Sequence, residues 1–291
     1  MTTLLVPAPA AAPPAPPPAR PGRLAALVRP VGLGLVLLGL LLPLVPVLLW
    51  AVAERWRFPA LLPTQFGTGA VRSLNDPGAQ VIPALLTSLT IATTVSLMAA
   101  AIGVCAGRAL GLYAFRGKRL VQFLVLAPVI VPPFSVVLGV QVLFIRYGLA
   151  DSIPGVVLVQ LIPTIPYVTL VMASVYANYD TAYEEQARVL GAGPLRVLLT
   201  VTLPQVFPGL VVAALFAFLI SWSEYILTLL VGGGSVRTLP LLLFASLGGS
   251  DTPQTAALAL VIVAPPTLLL LVTSRFLSGD RPNAVAGLGR L

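Results

Sequence analysis

The sequence predicts an all-α, polytopic membrane protein with six transmembrane helices and both termini in the cytoplasm. Three observations predict it. The 291 residues are 58% hydrophobic and 9% charged, with a mean hydropathy of +1.00. A soluble domain of this length carries roughly a quarter charged residues, so most of this chain must be solvated by lipid or by its own helices. Six apolar runs are long enough to span a bilayer, and the basic residues cluster between them on one side.

Residues 1–22, MTTLLVPAPAAAPPAPPPARPG, form an Ala/Pro tract. Proline at this density removes helical N–H donors and favours an extended, solvated chain, so this segment reads as a disordered cytoplasmic tail. Arg20, Arg23 and Arg29 precede an apolar run over 31–53. That run is long enough to span, which favours an uncleaved first helix over a signal peptide. With the external segment after it, it makes a unit over 23–80.

Five further runs follow at 81–106, 120–144, 155–177, 208–230 and 255–276. Each covers about 30 Å at about 1.5 Å per residue. Together they define a core over 81–278, followed by a cytoplasmic tail over 279–291. Six spans leave both ends on one side. The positive-inside rule makes that side cytoplasmic, because 12 of the 17 Lys and Arg fall in the N-terminal segment, the 107–119 and 178–207 loops and the C-terminal end. Prolines 128, 132 and 133 lie in the third span, 163 and 166 in the fourth, 265 and 266 in the sixth. In lipid the carbonyls they free must be satisfied by neighbouring helices or a wet cavity.

Several chemistries are excluded early. The chain has no histidine, which removes the usual zinc sites, Ser-His-Asp triads and His proton relays. The formal charge of +8 comes without the basic stripe and interleaved aromatics of a nucleic-acid surface; no nucleic-acid partner is expected. Cys105, the single cysteine, sits in an apolar run and reads as a small buried hydrophobe. The nearest text to a phosphate-binding P-loop runs from Gly111 to Arg119. It has one intervening residue too many, and Arg119 stands where the metal-ligating hydroxyl belongs. Gly232, Gly233, Gly234 and Ser235 read as a flexible outer turn.

One polar stretch stands out between the fourth and fifth spans: EEQARVLGAGPLRVLLTVTLP, 184–204. Residues 181–190 read as a short helix. Asp180 or Thr181 supplies its N-cap, and Glu184 and Glu185 fall early in it, where the dipole favours anions. Gly191 suits a left-handed C-terminal cap and Pro194 the start of a second helix. That second helix, 195–203, places Leu195, Leu198, Leu199 and Thr202 on one face. From periodicity alone the result is a helix-turn-helix elbow at the membrane surface, packed on its own bundle or on a partner.

The stretch resembles the EAA loop of ATP-binding-cassette importer permeases: Glu-Ala-Ala, three residues, Gly, nine residues, then Ile-x-Leu-Pro. Here Glu185, Gln186 and Ala187 are followed by Gly191 and Ala192, and then by Val201, Thr202, Leu203 and Pro204. Gln186 replaces the first Ala and Val201 the Ile. The likeness extends over about 83–278, and the text from Ser221 to Phe244, SWSEYILTLLVGGGSVRTLPLLLF, looks most like the spermidine/putrescine branch. The resemblance implies that the elbow is a coupling loop in which Glu184, Glu185, Gln186, Ala187, Gly191, Ala192, Leu203 and Pro204 meet a cytoplasmic ATPase dimer. It further implies that ATP is bound by that partner and by no cofactor site in this chain, which is not itself an enzyme. A second permease, copy or paralogue, and an external solute-binding protein complete the assembly. The outer segments 54–80 and 231–254 would receive the binding protein, with Arg72, Asp76, Arg237 and Asp251 as contacts. Polyamine is the first substrate class, ahead of sugar or polyol, phosphonate and ferric ion.

Glu224, in LISWSEYILTLL, lies inside the fifth run. An ionisable group there is a functional-site hypothesis by default. Ser221 and Thr228 extend a polar stripe along its face, and Trp222 and Tyr225 flank it. Either it lines the pathway, with Ser221, Tyr225 and Thr228, or it is a structural carboxyl bonded to a neighbouring helix. The alternative to an importer permease is an ion-coupled secondary transporter, which would want an inverted repeat and further intramembrane ionisable groups. Neither is visible. An intramembrane enzyme would lack paired acids and histidine.

Overall fold

The computed structural model describes residues 31–278 apart from 33, 40, 57, 58 and 250. The expected tails over 1–22 and 279–291, and with them the side on which the termini lie, fall outside the described residues.

The chain divides into two units, residues 1–46 and 47–291. In the first, residues 34–39 are helical and a turn at 42–43 follows, where Pro43 interrupts the ladder. Helix α1 is Leu44–Ala51. The expected first span over 31–53 is therefore not one unbroken helix, and residues 33 and 40 within it lie outside the described set.

In the second unit the chain leaves α1 into a hairpin, β1 (Ala53–Arg55) and β2 (Gln65–Phe66), paired antiparallel. This is the one addition to the expected all-α fold among the described residues. A short helix α2 (Gly69–Ser73) follows, then α3 (Val81–Leu112), α4 (Lys118–Ile130), α5 (Pro133–Arg146) and α6 (Ile153–Ala177). The polar elbow holds α7 (Ala182–Val189) and α8 (Pro194–Val197). The rest is helical: α9 (Leu203–Trp222), α10 (Ile226–Gly232), α11 (Leu239–Leu247) and α12 (Thr252–Ser278).

Four helical stretches are long and apolar enough to cross a membrane: Pro77–Leu112, Ile153–Ala177, Pro194–Trp222 and Thr252–Arg275. The pair α4 and α5 makes a fifth only if counted together, because it bends by 96°. The third expected span is thus broken. Val131 and Pro132 both take extended backbone, which is the conformation a residue before proline is pushed into. Neither Pro132 nor Pro133 has an N–H to carry the ladder across. By contrast α6 runs through Pro163 and Pro166, and α12 through Pro265 and Pro266.

The centre of the unit is the pairing of α3 with α6. Gly103, Gly107 and Gly111 lie along one stripe of α3, facing Val168, Met172 and Tyr176 of α6. Without hydrophobic drive in lipid, such close backbone approach is what holds helices together. Helix α9 joins the same core through Ala213 and Ala217, and Ser96 of α3 donates to the Ala214 carbonyl at 2.7 Å. A second core gathers Phe218, Trp222, Leu239 and Ala257 from α9, α11 and α12. The outer faces carry Leu86, Leu97 and Ile102 exposed, as lipid contact requires. Cys105 is exposed too, not the buried hydrophobe expected, since it points away from the glycine stripe.

Candidate functional site

The elbow is built from local signals. The Asp180 carboxylate accepts the Ala182 N–H at 2.9 Å, so Asp180 starts α7, while Thr181 makes no side-chain cap. At the other end Gly191 has φ +85. In that left-handed conformation the N–H groups of Gly191 and Ala192 reach the carbonyls of Arg188 and Ala187 at 2.9 and 3.0 Å, satisfying two otherwise orphaned acceptors. Pro194 opens α8.

The expected second helix over 195–203 is not a separate element. A π turn, Leu198–Thr202, follows α8 directly, and Pro194–Trp222 forms one helical stretch. Pro204 has no N–H for the Thr200 carbonyl, and the Leu203 N–H instead reaches back five residues to Leu198. This slip rotates Thr202 away from the face expected for it. Leu195 and Leu199 are exposed, whereas Thr202 is fully buried.

Burial of Thr202 places its hydroxyl against Glu184, which is only 3% exposed. Thr202 Oγ1 donates to Glu184 Oε1 at 2.7 Å. Arg108 Nη2 of α3 donates to Glu184 Oε2 at 2.8 Å, and Arg188 Nη2 to the same oxygen at 3.0 Å. The Arg108 guanidinium also lies 5.9 Å from the Tyr176 ring centre. The hydroxyls of Tyr176 and Tyr179 are buried beside this cluster. Burial opposes ionisation of Glu184, but Arg108 and Thr202 outweigh it and hold the carboxyl below its ordinary range. Sequence reading placed Glu184 in the loop yet missed Arg108, which lies 76 residues away and counted only as a topology charge.

The other loop residues divide by face. Glu185, Gln186, Gly191 and Pro204 are exposed; Ala187, Ala192 and Leu203 are half-buried. Val189 and Leu190 flank the Gly191 tip at 87% and 86% exposure. The tip thus exposes two apolar side chains and small residues beside an anchored acid.

A depressed carboxyl pKa contributes stability that is present above the unfolded value and lost as pH falls through the folded one. For Glu184 the unfolded value is about 4.5. Glu184→Gln should therefore cost about 2–3 kcal/mol at pH 7, somewhat less than removing half of a fully buried pair, and the deficit should hold down to about pH 5. Below about pH 4.5 it should shrink. Thermal midpoints of both proteins across this range check it; a deficit independent of pH down to 3 would remove the ion pair as its cause.

The second cluster lies where α9 ends. Glu224 is not inside a continuous span: α9 stops at Trp222 and α10 starts at Ile226. Glu224 sits half-buried in the break, and its Oε1 accepts the Leu227 N–H at 2.8 Å, capping α10. The expected stripe is divided. Ser221 donates to Gln160 Oε1 at 2.5 Å, and Gln160 Nε2 donates to Thr228 at 2.9 Å, tying α6, α9 and α10 together. The Glu224 carboxylate takes no part in that chain, although Thr228 Oγ1 also donates to the Glu224 backbone carbonyl at 3.4 Å. Tyr225 stacks on Phe244 at 4.2 Å, while Trp222 is buried and donates to the Ile262 carbonyl at 3.0 Å. Gln160 was missed, although a lone Gln in an apolar run is itself a signal.

On the opposite side, Arg237 donates to Gln80, and Asp251 accepts the Gln254 N–H at 3.0 Å to cap α12. Arg72 and Asp76 are exposed. The Gly232–Ser235 turn is held in place. Gly233 has φ +51, and a Cβ there would run into the Asp151 carboxylate, so a side chain at this position is strained and would displace Asp151.

The family of binding-protein-dependent transport system inner membrane components matches residues 99–278. The chain belongs to this family. Among its relatives, the putrescine transport system permease protein PotI of Escherichia coli strain K12 is 32% identical over 185 residues, 60% of this chain and 65% of PotI. The spermidine/putrescine transport system permease protein PotC of Haemophilus influenzae is 29% identical over 198 residues, 68% of this chain and 77% of PotC. A bacterial ABC transporter involved in the import of the acidic polysaccharide alginate has the same fold, with a TM-score of 0.69 at 19% identity over 90% of this chain and 99% of that one. Several helices long and apolar enough to cross a membrane are in keeping with an inner membrane component.

Proposed function

We propose that this permease component forms, with a second permease, the pathway of an ABC importer for a polyamine. It takes the solute from an external binding protein and draws on a separate cytoplasmic ATPase through the elbow over 181–204. The observation that carries this is the elbow itself: Glu184 fastened inward by three hydrogen bonds, and the Gly191 tip with Glu185, Val189 and Leu190 turned out. A loop that only packed on its own bundle would bury those side chains. Relatives named for putrescine and spermidine/putrescine transport support the substrate class, as does Glu224, a half-buried acid at a helix break able to meet an ammonium group. A structural neighbour solved in complex with a pentasaccharide-bound periplasmic protein supports the external partner.

Purification from its native membrane in mild detergent should yield a stoichiometric ATPase, and the reconstituted complex should take up putrescine only with ATP. Glu224→Gln should lower that uptake about tenfold, equivalent to about 1.4 kcal/mol, with the ATPase still attached. Uptake without ATP by a chain that purifies alone would replace the importer with an ion-coupled transporter. Normal uptake in Glu224→Gln would return that acid to a capping role.

A further inference from the structure

We propose that Arg108 is a positioning residue that locks the elbow to α3, so that a displacement of the elbow is carried into α3 as well as into α9. The inference rests on the importer reading above and adds a second arm to it. By chain connectivity the elbow moves only α6, at its start, and α9, at its end. Helix α3 has no covalent link to it. Yet both salt bridges among the described residues end on one atom, Glu184 Oε2, and one of them comes from α3.

The two are not equivalent. Arg188 belongs to α7 itself and is 55% exposed, whereas Arg108 is 23% exposed; water screens the first far more than the second. Glu184 therefore joins three elements through charge-assisted or buried bonds: α3 by Arg108, α7 by its own backbone, and the π turn at the foot of α9 by Thr202. The guanidinium lies near the Tyr176 ring, at the end of α6, which adds direction. Arg108 also follows Gly107, whose Cβ position lies 2.8 Å from the Met172 backbone carbon. The anchor thus stands on a part of α3 that cannot slide against α6 without a clash. A helix held in this way, whose guanidinium donates one short charge-assisted bond from Nη2 to a buried carboxylate, is suited to transmit a push.

Cys105 is the sole cysteine and is exposed on α3, while Tyr183 is exposed on α7 and lies outside the set of residues expected to meet the ATPase. Spin labels at Cys105 and at Tyr183→Cys therefore report the lock within one chain of the full complex, read nucleotide-free and after trapping with ATP and vanadate. The parent should give the same narrow distance in both states. Arg108→Gln should keep its ATPase, yet at least double the width of the distribution or shift it on trapping. Arg108→Lys, which keeps the charge but carries it on a more flexible stem, should lie between them, and carries the test if Arg108→Gln does not fold. The inference is overturned if the parent distance changes on trapping, or if the variants superimpose on the parent. A parent complex that holds no ATPase overturns the importer reading first, and the lock with it; that outcome is seen in the purification before any distance is measured.

Discussion

Gly107→Leu will leave no folded bundle. A Cβ at Gly107 would lie 2.4 Å from Met172 Cβ, 2.8 Å from the Met172 backbone carbon and 2.9 Å from the Ala173 nitrogen. Backbone atoms cannot rotate out of the way, so even alanine demands that two helices part. Gly103 and Gly111 meet Val168 and Tyr176 just as closely, which means any parting is resisted along the whole stripe. Separation costs the packing contacts that hold helices together in lipid, where no hydrophobic drive between them remains. Gly107→Ala should lose about 1–3 kcal/mol, the usual range for overpacking. Gly107→Leu, three carbons larger, exceeds what a marginal bundle can absorb. The control is Gly139→Leu in α5, where nothing lies within 4 Å of the added carbon. Size-exclusion profiles in detergent should show a sharp peak for Gly139→Leu, a sharp but less heat-stable one for Gly107→Ala, and aggregate for Gly107→Leu. A sharp peak for the last would mean α3 and α6 are not held by this contact.

That stripe also shows what a sequence makes visible. Three glycines four residues apart in an apolar run announce a close helix contact; the partner helix is not announced, because nothing in the spacing of α6 points back. Cys105 lies two residues from both Gly103 and Gly107, about 200° round the helix, so the same pattern that buries the glycines exposes the thiol. The spans themselves are legible from length and hydropathy, and α3, α6 and α12 begin and end within several residues of their apolar runs. Breaks are another matter. Pro132 and Pro133 end a helix, whereas Pro265 and Pro266, the same dipeptide, lie inside one. Proline content alone does not separate the two cases. Nor does apolar length reveal that the fifth run stops at Trp222, with Glu224 capping the next helix. Local grammar served the elbow better: Asp180, Gly191 and Pro194 act where their chemistry places them. Its inward half depends on Arg108, and a pairing over 76 positions leaves no local trace.

Gly191→Trp will separate the protein from the proposed ATPase while leaving the bundle folded. The two effects of this substitution act on different links of the argument. The first is local strain: at φ +85 a side chain costs about 1–2 kcal/mol, confined to the end of a short surface helix. The second is bulk. Nothing in this chain lies within 4 Å of the Gly191 Cβ position. Val189 and Leu190 beside it are 87% and 86% exposed, so an indole has room to extend away from the bundle. There it meets whatever covers the tip. Gly191→Ala carries the strain without the bulk, and Gly191→Asn relieves much of the strain, since Asn adopts the left-handed conformation more readily. If the tip seats in an ATPase, retention of that partner should fall in order of size. Alanine and asparagine should stay near the parent, and tryptophan should lose at least about tenfold, or about 1.4 kcal/mol. Thermal midpoints of the permease alone should differ little among the three. Strain as the sole cause predicts another order, with alanine as damaging as tryptophan and asparagine milder than both. Equal retention by all three would place the docking surface away from Gly191, and Val189 and Leu190 would then need another reason to face water.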